Sequence, residues 1–423
     1  MAIQRSAAEA AYVDAFGRLP EPLRRGSRKD AFEHFAAIGL PHRRLEDWKW
    51  TDLRQVLDRA YPPLIEPVKP SADAGKLLAR SPFAGAARAR LVFIDGRFDA
   101  RRSSLPQSGD VSARALGSDG RFSGEKGDPI SALNIAFATD GAHVRIGKGN
   151  AIDAPIELVF ISTVSERVTV TTRNVIEVED GATATLLEYH VGPDTAYVAS
   201  SVTEARLGKG ARLDRVKVAE DGLKAVHLAN FEVRLGEGAS LRDFTLIEGA
   251  RVTRQQGFVT FEGEHAEARI GGTYLLGGAQ HADTRLVVDH AVPHCTSREL
   301  FKCVMDENAR GVFQGKVVVR QKAQKTDGKQ SSHGLLLSPT AEFDTKPELE
   351  IFADDVVCGH GATSGELNED QLFYLRARGI PDEEAKSLLV AAFAAEAFDM
   401  VENDAVRDAL AGIAASWLAR RRK

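Results

Sequence analysis

A glycine-type turn followed by a β-strand recurs at a nearly constant spacing through the middle of the chain. The turns in "VEDGATATLLEY", "LGKGARLDRVKV" and "LGEGASLRDFTL" carry Gly181, Gly210 and Gly238, which are 29 and 28 residues apart, and Glu264–His265 follows 26 to 27 residues further on. Each period reads as strand, turn, strand and second turn, without helical periodicity. A two-strand unit cannot bury its apolar face alone, so successive units must stack.

This stacking predicts a mainly β protein with helical ends, built on a flattened right-handed parallel β-helix. We place the β-helix core at residues 129–362, an N-terminal helical and adaptor region at 1–128, and a C-terminal helical domain at 363–423. An antiparallel β-sandwich with regular hairpins is the alternative. The repeated turn at a constant period favours the solenoid.

Both ends of the chain carry recognisable local signals. "RRLEDWKWTDLR" brings Trp48 and Trp50 close together on a charged background, and Asp95–Gly96 suits a tight hairpin turn in "ARLVFIDGRFDAR". Near the other end, Asn368 caps a helix that Gly379 terminates. The next helix carries one apolar stripe, which we expect to be mostly core, formed by Ala385, Leu388, Leu389, Ala392, Phe393 and Ala397.

The composition is that of a cytoplasmic globular protein. The net charge of −5 gives no general support for nucleic-acid binding, and no apolar run reaches the length of a membrane helix. The N-terminal residues lack the apolar core of a signal peptide. Three cysteines without a CxxC pair fit a reducing compartment.

The stretch "DDVVCGHGATSGE" is the strongest candidate for chemistry. A glycine-rich turn between strand and helix could hold phosphate, but neither GxGxxG nor GxxxxGK[ST] is present, which excludes a nucleotide triphosphate site. Cys358 and His360 stand two positions apart on an extended segment, so their side chains point the same way and could bind iron or zinc. Two ligands make only half a site. The alternative is a buried thiol at the end of a strand beside a solvated histidine.

Other polar groups are weaker candidates. "PHCTSRELFKC" and "QHADTRLVVDH" match no standard zinc spacing, and Cys303 alternates with apolar residues, which indicates core. Residues 321–334, which include "QKTDGKQSSHG", read as a dense polar loop between two strands. No Ser–His–Asp order, paired carboxylates or HExxH motif supports an enzyme. The further candidates that we single out in these two segments are His281, Asp283, Asp289, His290, His294 and Cys295.

The segment from Gln324 to Glu396 closely resembles the signature region of the SufB/SufD family of iron–sulfur cluster assembly proteins. The resemblance rests on "KPELEIFADDVVCGHGAT" followed by "DQLFYLRARG", and "EDWKWTDL" is similar to the family's N-terminal aromatic segment. The Cys-x-His-Gly form, the length and the lack of an N-terminal cysteine cluster favour the SufD branch over the SufB branch.

The resemblance implies a non-catalytic scaffold with two kinds of partner. A SufB-like paralogue would pair through the β-helix, and a SufC-like ABC ATPase would dock on the C-terminal helices. A transient iron–sulfur cluster would form at the subunit interface, with Cys358 and His360 as this chain's ligands and His360 the better one. Reduced flavin is also associated with the family complex, although no flavin motif is readable. Two alternatives stay open: a homodimeric metallochaperone and a β-helix enzyme acting on carbohydrate.

Overall fold

Two large sheets face each other along the chain in the computed structural model. Every coil contributes one strand to each sheet, and strands that are equivalent in successive coils pair in parallel. The predicted parallel β-helix is therefore confirmed, and the antiparallel sandwich is wrong. The structure describes residues 5–69, 73–87, 89–105, 111–116, 127–152 and 154–421.

The register of the sheets reproduces the sequence repeat. In one sheet Val226 pairs with Val198 on one side and with Val252 on the other. In the facing sheet Leu241 lies between Leu213 and Ala268. Each strand inside the stack thus forms its ladder hydrogen bonds with the coils before and after it.

The strands of the ten-stranded sheet are β1 (Ala89–Ile94), β2 (Arg97–Phe98), β5 (Ile156–Ile161), β7 (Thr183–Val191), β9 (Arg212–Glu220), β11 (Ser240–Ile247), β13 (Glu267–Leu276), β15 (Thr296–Met305), β17 (Asp327–Leu336) and β19 (Val357–Gly365). Those of the nine-stranded sheet are β3 (Val111–Ala115), β4 (Ala142–Ile146), β6 (Thr169–Val178), β8 (Val198–Leu207), β10 (Val226–Leu235), β12 (Val252–Phe261), β14 (His281–His290), β16 (Arg310–Val319) and β18 (Glu342–Ile351).

The helices lie before, beside and after the solenoid. They are α1 (Ala7–Arg18), α2 (Gly26–Ile38), α3 (Leu53–Val56), α4 (Ala74–Leu78), α5 (Pro129–Phe137), α6 (Glu369–Ala377), α7 (Asp382–Phe398) and α8 (Asp404–Arg421), with short 3-10 turns at Glu21–Arg24 and Glu46–Trp48. None of the helices in these described ranges could cross a membrane, because none is both long and apolar enough.

The recurring turn has one backbone conformation throughout. Gly181, Gly210 and Gly238 adopt φ values of 66°, 62° and 63°, in the left-handed region that glycine enters without steric cost. His265 follows in the same column with φ 61°, and histidine is among the side chains found there more often than most. The spacing read from the sequence therefore marks a real column of turns.

The two ends of the solenoid are finished differently. At the beginning, the β1–β2 hairpin turns through Asp95 and Gly96 as predicted, and β2 has only two residues. At the other end β18 and β19, with 10 and 9 residues, are the outermost strands of their sheets. A long unpaired strand presents free backbone N–H and C=O groups to another chain.

The domain limits stay predictions. Strands β1 to β3 precede residue 128 but pair with the sheets of the core. Residues 106–110 and 117–126 of the predicted adaptor lie outside the described part of the chain.

Three apolar layers hold the fold together. The first fills the space between the two sheets. The second joins α7 and α8 to the outer face of the ten-stranded sheet, and the third joins α1, α2 and α5 to the outer face of the nine-stranded sheet. The solenoid is therefore covered by helices on both faces, and the short helix α4 lies with α7 and α8 on the ten-stranded sheet.

Trp48 anchors the N-terminal segment on the nine-stranded sheet. Its ring is buried and lies 4.3 Å from the guanidinium of Arg254, which pairs with Asp283 at 2.5 Å. Thr51 of the same segment donates a hydrogen bond to Asp283. Arg254 and Asp283 are both fully buried, and the aromatic segment keeps water from their ion pair. Removing the contacts of a buried ion pair costs free energy of folding.

Trp48→Ala should lower the free energy of unfolding by about 3 kcal/mol, since it removes a buried indole and uncovers the ion pair. Trp50→Ala is the matched control, because Trp50 is only half-buried, and its loss should be about 1 kcal/mol. Urea titrations of both variants measure the difference. Equal losses would contradict the anchoring role of Trp48.

A second buried polar cluster lies inside the solenoid, between the sheets. Glu188 and Asp243 both bind the guanidinium of Arg215, at 2.9 and 2.6 Å. The amine of Lys217 contacts Gln255 and His227, each at 3.0 Å. Burial lowers the pKa of Lys217 to about 7, although Glu188 attracts its charge.

Lys217 should make stability rise with pH above neutrality. The unfolded chain keeps the lysine proton up to its ordinary pKa, whereas the folded chain releases it near pH 7, so the unfolded state binds more protons between these limits. The free energy of unfolding should gain about 1 kcal/mol per pH unit between pH 8 and 9.5 relative to Lys217→Met. Lys209→Met, at an exposed lysine, should run parallel to wild type. A Lys217→Met profile parallel to wild type would refute the assignment.

Candidate metal-binding site

Strand β19 carries both residues of the candidate site. Cys358 pairs with Gly328 of β17, and His360 pairs with Gln330. The two residues are separated by one position on an extended strand, so they share a face. That face continues the interior of the solenoid, because Cys358 packs against the core between the sheets.

Cys358 is half-buried at the rim of this interior. Gly328 beside it has no side chain, and a Cβ placed there would lie 3.6 Å from the sulfur. Burial raises the pKa of the Cys358 thiol, and the negative charges of Asp327 and Glu299 raise it further. The free chain therefore favours the protonated thiol, and a positive charge brought to the site would favour the thiolate.

His360 is exposed, in contrast to its neighbour. Gly359 and Gly361 on either side have open space where a side chain would stand. Within the described residues no three His, Cys, Asp or Glu side chains are grouped to hold a metal ion. Cys358 and His360 thus share one face of an outermost strand, and their role as metal ligands stays a prediction.

The other two cysteines are not available as ligands. Cys303 is fully buried in the core between the sheets, which confirms its predicted place, and burial raises its pKa well above the ordinary value. Cys295 is also buried and donates from its sulfur to the carbonyl oxygens of Gly263 and Pro293.

The remaining sequence candidates have structural partners. His281 and Asp283 do share a face, but both contact the Thr51 hydroxyl and so help to dock the N-terminal segment. Asp289 pairs with Arg320. His290 is buried with its Nε2 3.1 Å from Ser297 Oγ, and His294 stacks on the exposed ring of His265.

The predicted polar loop over residues 321–334 is confirmed at 321–326 but wrong from Asp327 onward, where strand β17 begins. Alternation along the strand turns Gln330 and Ser332 into the interior, where they are buried. Glu299 of β15 points into the same space and was missed. The signal was present in "TSRELFKCVM", where Glu299 has the same strand parity as the core residues Phe301 and Cys303.

The C-terminal helices expose more apolar surface than their stripe predicts. The Asn368 side chain accepts a hydrogen bond from the Gln371 amide, and Gly379 has φ 86°, so both predicted helix signals are confirmed. However, Leu388 is exposed rather than core. Phe373 and Tyr374 on α6 are 73% and 57% exposed, so most of their surface is uncovered within the described chain.

The fold and the edge define a parallel β-solenoid protein with a candidate half site for a metal. Two family descriptions match it: "SUF system FeS cluster assembly, SufBD core domain" over residues 160–393 and "SufBD protein N-terminal region" over residues 20–78. The chain belongs to the SufBD family of iron–sulfur cluster assembly proteins, which confirms the resemblance seen in the sequence.

The sequence is similar to individual relatives, and two of these similarities extend over most of the chain. The iron–sulfur cluster assembly protein SufD of Escherichia coli is 30% identical over 376 residues, which cover 87% of each protein. A SufBD family protein of Synechocystis is 32% identical over 398 residues, covering 88% of this chain and 86% of its own length. A SufBD family protein of Mycobacterium tuberculosis is 36% identical over 208 residues, covering 47% of this chain and 52% of its own length. The chain is a homologue of SufD.

Native thiol labelling should report on Cys358 alone. A disulfide reagent such as Ellman's should modify one cysteine quickly, because the other two are buried. The rate should rise about 10-fold per pH unit up to at least pH 9, since only the thiolate reacts and the thiol pKa is raised. Cys358→Ser should abolish the fast phase and Cys303→Ser should leave it. A rate that levels off below pH 8 would contradict the raised pKa.

Proposed function

We propose that this protein is a non-catalytic scaffold subunit of a SufB–SufC–SufD type assembly complex. It pairs with a SufB-like paralogue through the free end of its β-helix and docks a SufC-like ATPase on its C-terminal helices. Cys358 and His360 supply its share of a transient cluster site at the subunit interface. The observation that carries the proposal is the position of these two residues on an outermost strand.

The free end of the solenoid has the properties of a pairing edge. Strands β18 and β19 offer unsatisfied backbone groups, and Phe352 and Val357, at either end of the connection between them, are 59% and 62% exposed. Strand addition at such an edge combines backbone hydrogen bonds with apolar contacts. A partner with a matching β-helix would extend both sheets across the junction.

A shared site fits the number of ligands on this chain. Cys and His are suitable ligands for iron in a nascent cluster, but a cluster needs more than two of them. A partner strand added to β19 would bring its own side chains beside His360 and complete the set. An interface of this kind can also release its cargo when the subunits move apart, which a closed cage cannot.

The α6–α7 surface supports the docking of a second partner. Phe373, Tyr374 and Leu388 are exposed there, and aromatic side chains of this kind are enriched at protein interfaces. ATP hydrolysis then belongs to the docked subunit, in agreement with the lack of a phosphate-binding motif in this sequence. Reduced flavin stays a prediction from the resemblance alone.

His360→Ala should lower cluster yield without dissolving the complex, because the exposed imidazole is a ligand and not part of the core. We expect iron–sulfur absorption to fall about 10-fold after anaerobic co-expression with SufB-like and SufC-like partners and purification through a tag on this chain. The subunit ratio should be unchanged. His333→Ala is the matched control, since His333 lies on the opposite face of neighbouring β17.

Other outcomes would favour the alternatives. Recovery of the chain only with copies of itself would support a homodimeric metallochaperone. A mixed complex whose absorption is unchanged in His360→Ala would remove His360 from the site. Loss of the complex in that variant would make His360 a packing residue.

A further inference from the structure

We propose that Glu299 and Gln330 form an inner cation site for iron(II), inside the solenoid and directly behind the Cys358–His360 edge. The Glu299 carboxylate and the side-chain oxygen of Gln330 are its protein ligands, and water completes the coordination. The inference rests on the proposed function, because it assumes that the cargo of the edge includes iron.

One column of interior side chains connects the proposed inner site with the Cys358–His360 edge. Glu299 of β15 pairs with Gln330 of β17, and Gln330 pairs with His360 of β19. Paired residues in adjacent strands point to the same side, so all three side chains line the interior face. Two strand spacings, about 10 Å, separate the backbones of Glu299 and His360. Gln330 stands between them.

The inner part of this column holds buried oxygen atoms without partners. Glu299 and Gln330 are 3% and 2% exposed, and neither carboxylate oxygen of Glu299 nor Oε1 of Gln330 has a hydrogen-bond partner within the described chain. Buried polar atoms are normally hydrogen-bonded, and a group that is not calls for a ligand, an ion or a water.

Gly315 fixes the direction of the amide. The Gln330 Nε2 donates to the Gly315 carbonyl oxygen at 3.4 Å, which leaves Oε1 as the free atom. A Cβ at position 315 would fall 2.2 Å from that oxygen, so the glycine provides the space that Gln330 occupies. The facing strand is therefore shaped around this side chain.

The charge balance of the region calls for a cation. Arg298 offers the Glu299 carboxylate a positive charge, but no hydrogen bond joins the two within the described chain. Glu299 and Asp327 both add negative charge near Cys358. A divalent cation on the Glu299 carboxylate would compensate negative charge at both places, and oxygen atoms are ligands that iron(II) accepts.

The proposed site is a holding position and not a closed cage. No group of three His, Cys, Asp or Glu side chains is preformed in the residues that the structure describes, so binding should be weak and exchangeable. Iron held at Glu299 would lie next to Gln330 and, one strand further, to His360. This order of residues would allow iron to pass outward to the edge.

Iron(II) binding to the isolated full-length chain tests the proposal directly. Anaerobic titration calorimetry with ferrous ion, and visible absorption with cobalt(II) as a probe, should detect one cation per chain. Glu299→Gln keeps the shape and removes the charge, and it should weaken binding by about 10-fold or more. Glu350→Gln is the matched control, because Glu350 lies on the outside of β18 beside Lys316, and its affinity should equal that of wild type.

Glu299→Gln is expected to fold, since it removes a buried charge, and Gln330→Met provides a second variant that keeps volume but loses the oxygen. Binding unchanged in both variants would overturn the proposal, as would a wild-type chain that binds no cation. Binding that is lost in His360→Ala but kept in Glu299→Gln would place the cation at the edge and also overturn it.

These outcomes are separate from those of the proposed function. The mixed complex and the effect of His360→Ala on its absorption do not depend on Glu299. An inner site can therefore fail while the scaffold role stands. Conversely, iron can bind at Glu299 in a chain whose complex shows no dependence on His360.

Discussion

Backbone pairing between successive coils is the interaction on which the rest of this structure depends. Each strand of an interior coil pairs with the equivalent strand of the coil before it and of the coil after it. The last coil is the exception, because β18 and β19 have a neighbour on one side only. The backbone pairing that stabilises the core thus leaves an edge of free backbone N–H and C=O groups at β18 and β19. Cys358 and His360 lie on this edge.

The interior of the solenoid combines two chemistries in one continuous space. Apolar side chains from both sheets fill most of it, and they supply the burial that holds the coils together. Polar columns interrupt this packing at Arg215 and Lys217, and again at Glu299 and Gln330. The first group is compensated by internal partners. In the second group, the two Glu299 oxygens and Gln330 Oε1 have no hydrogen-bond partner within the described chain, and they lie beside the strand that carries Cys358 and His360.

Helices from the two ends of the chain divide the outer surface between them. Helices α1, α2 and α5 cover the nine-stranded sheet, and Trp48 keeps water from a buried ion pair there. The C-terminal helices cover the ten-stranded sheet through α7 and α8, while α6 stays exposed. The helices thus cover the two outer faces of the solenoid. Among the described residues, no strand pairs with the outer edge of β18 or β19 at its end.

The sequence alone determined the repeat, and hence the solenoid, because a left-handed turn position needs glycine and stacked strands need alternating apolar residues. It also determined that Cys358 and His360 share a face. Only the tertiary structure decided that β19 is the last strand of its sheet, since pairing partners are distant in the chain. It likewise placed Gln330, which the sequence predicts in a loop, in the core. It also placed Glu299 two strands away from His360 in the same sheet. These positions follow from the register of strands about 30 residues apart, which no local pattern encodes.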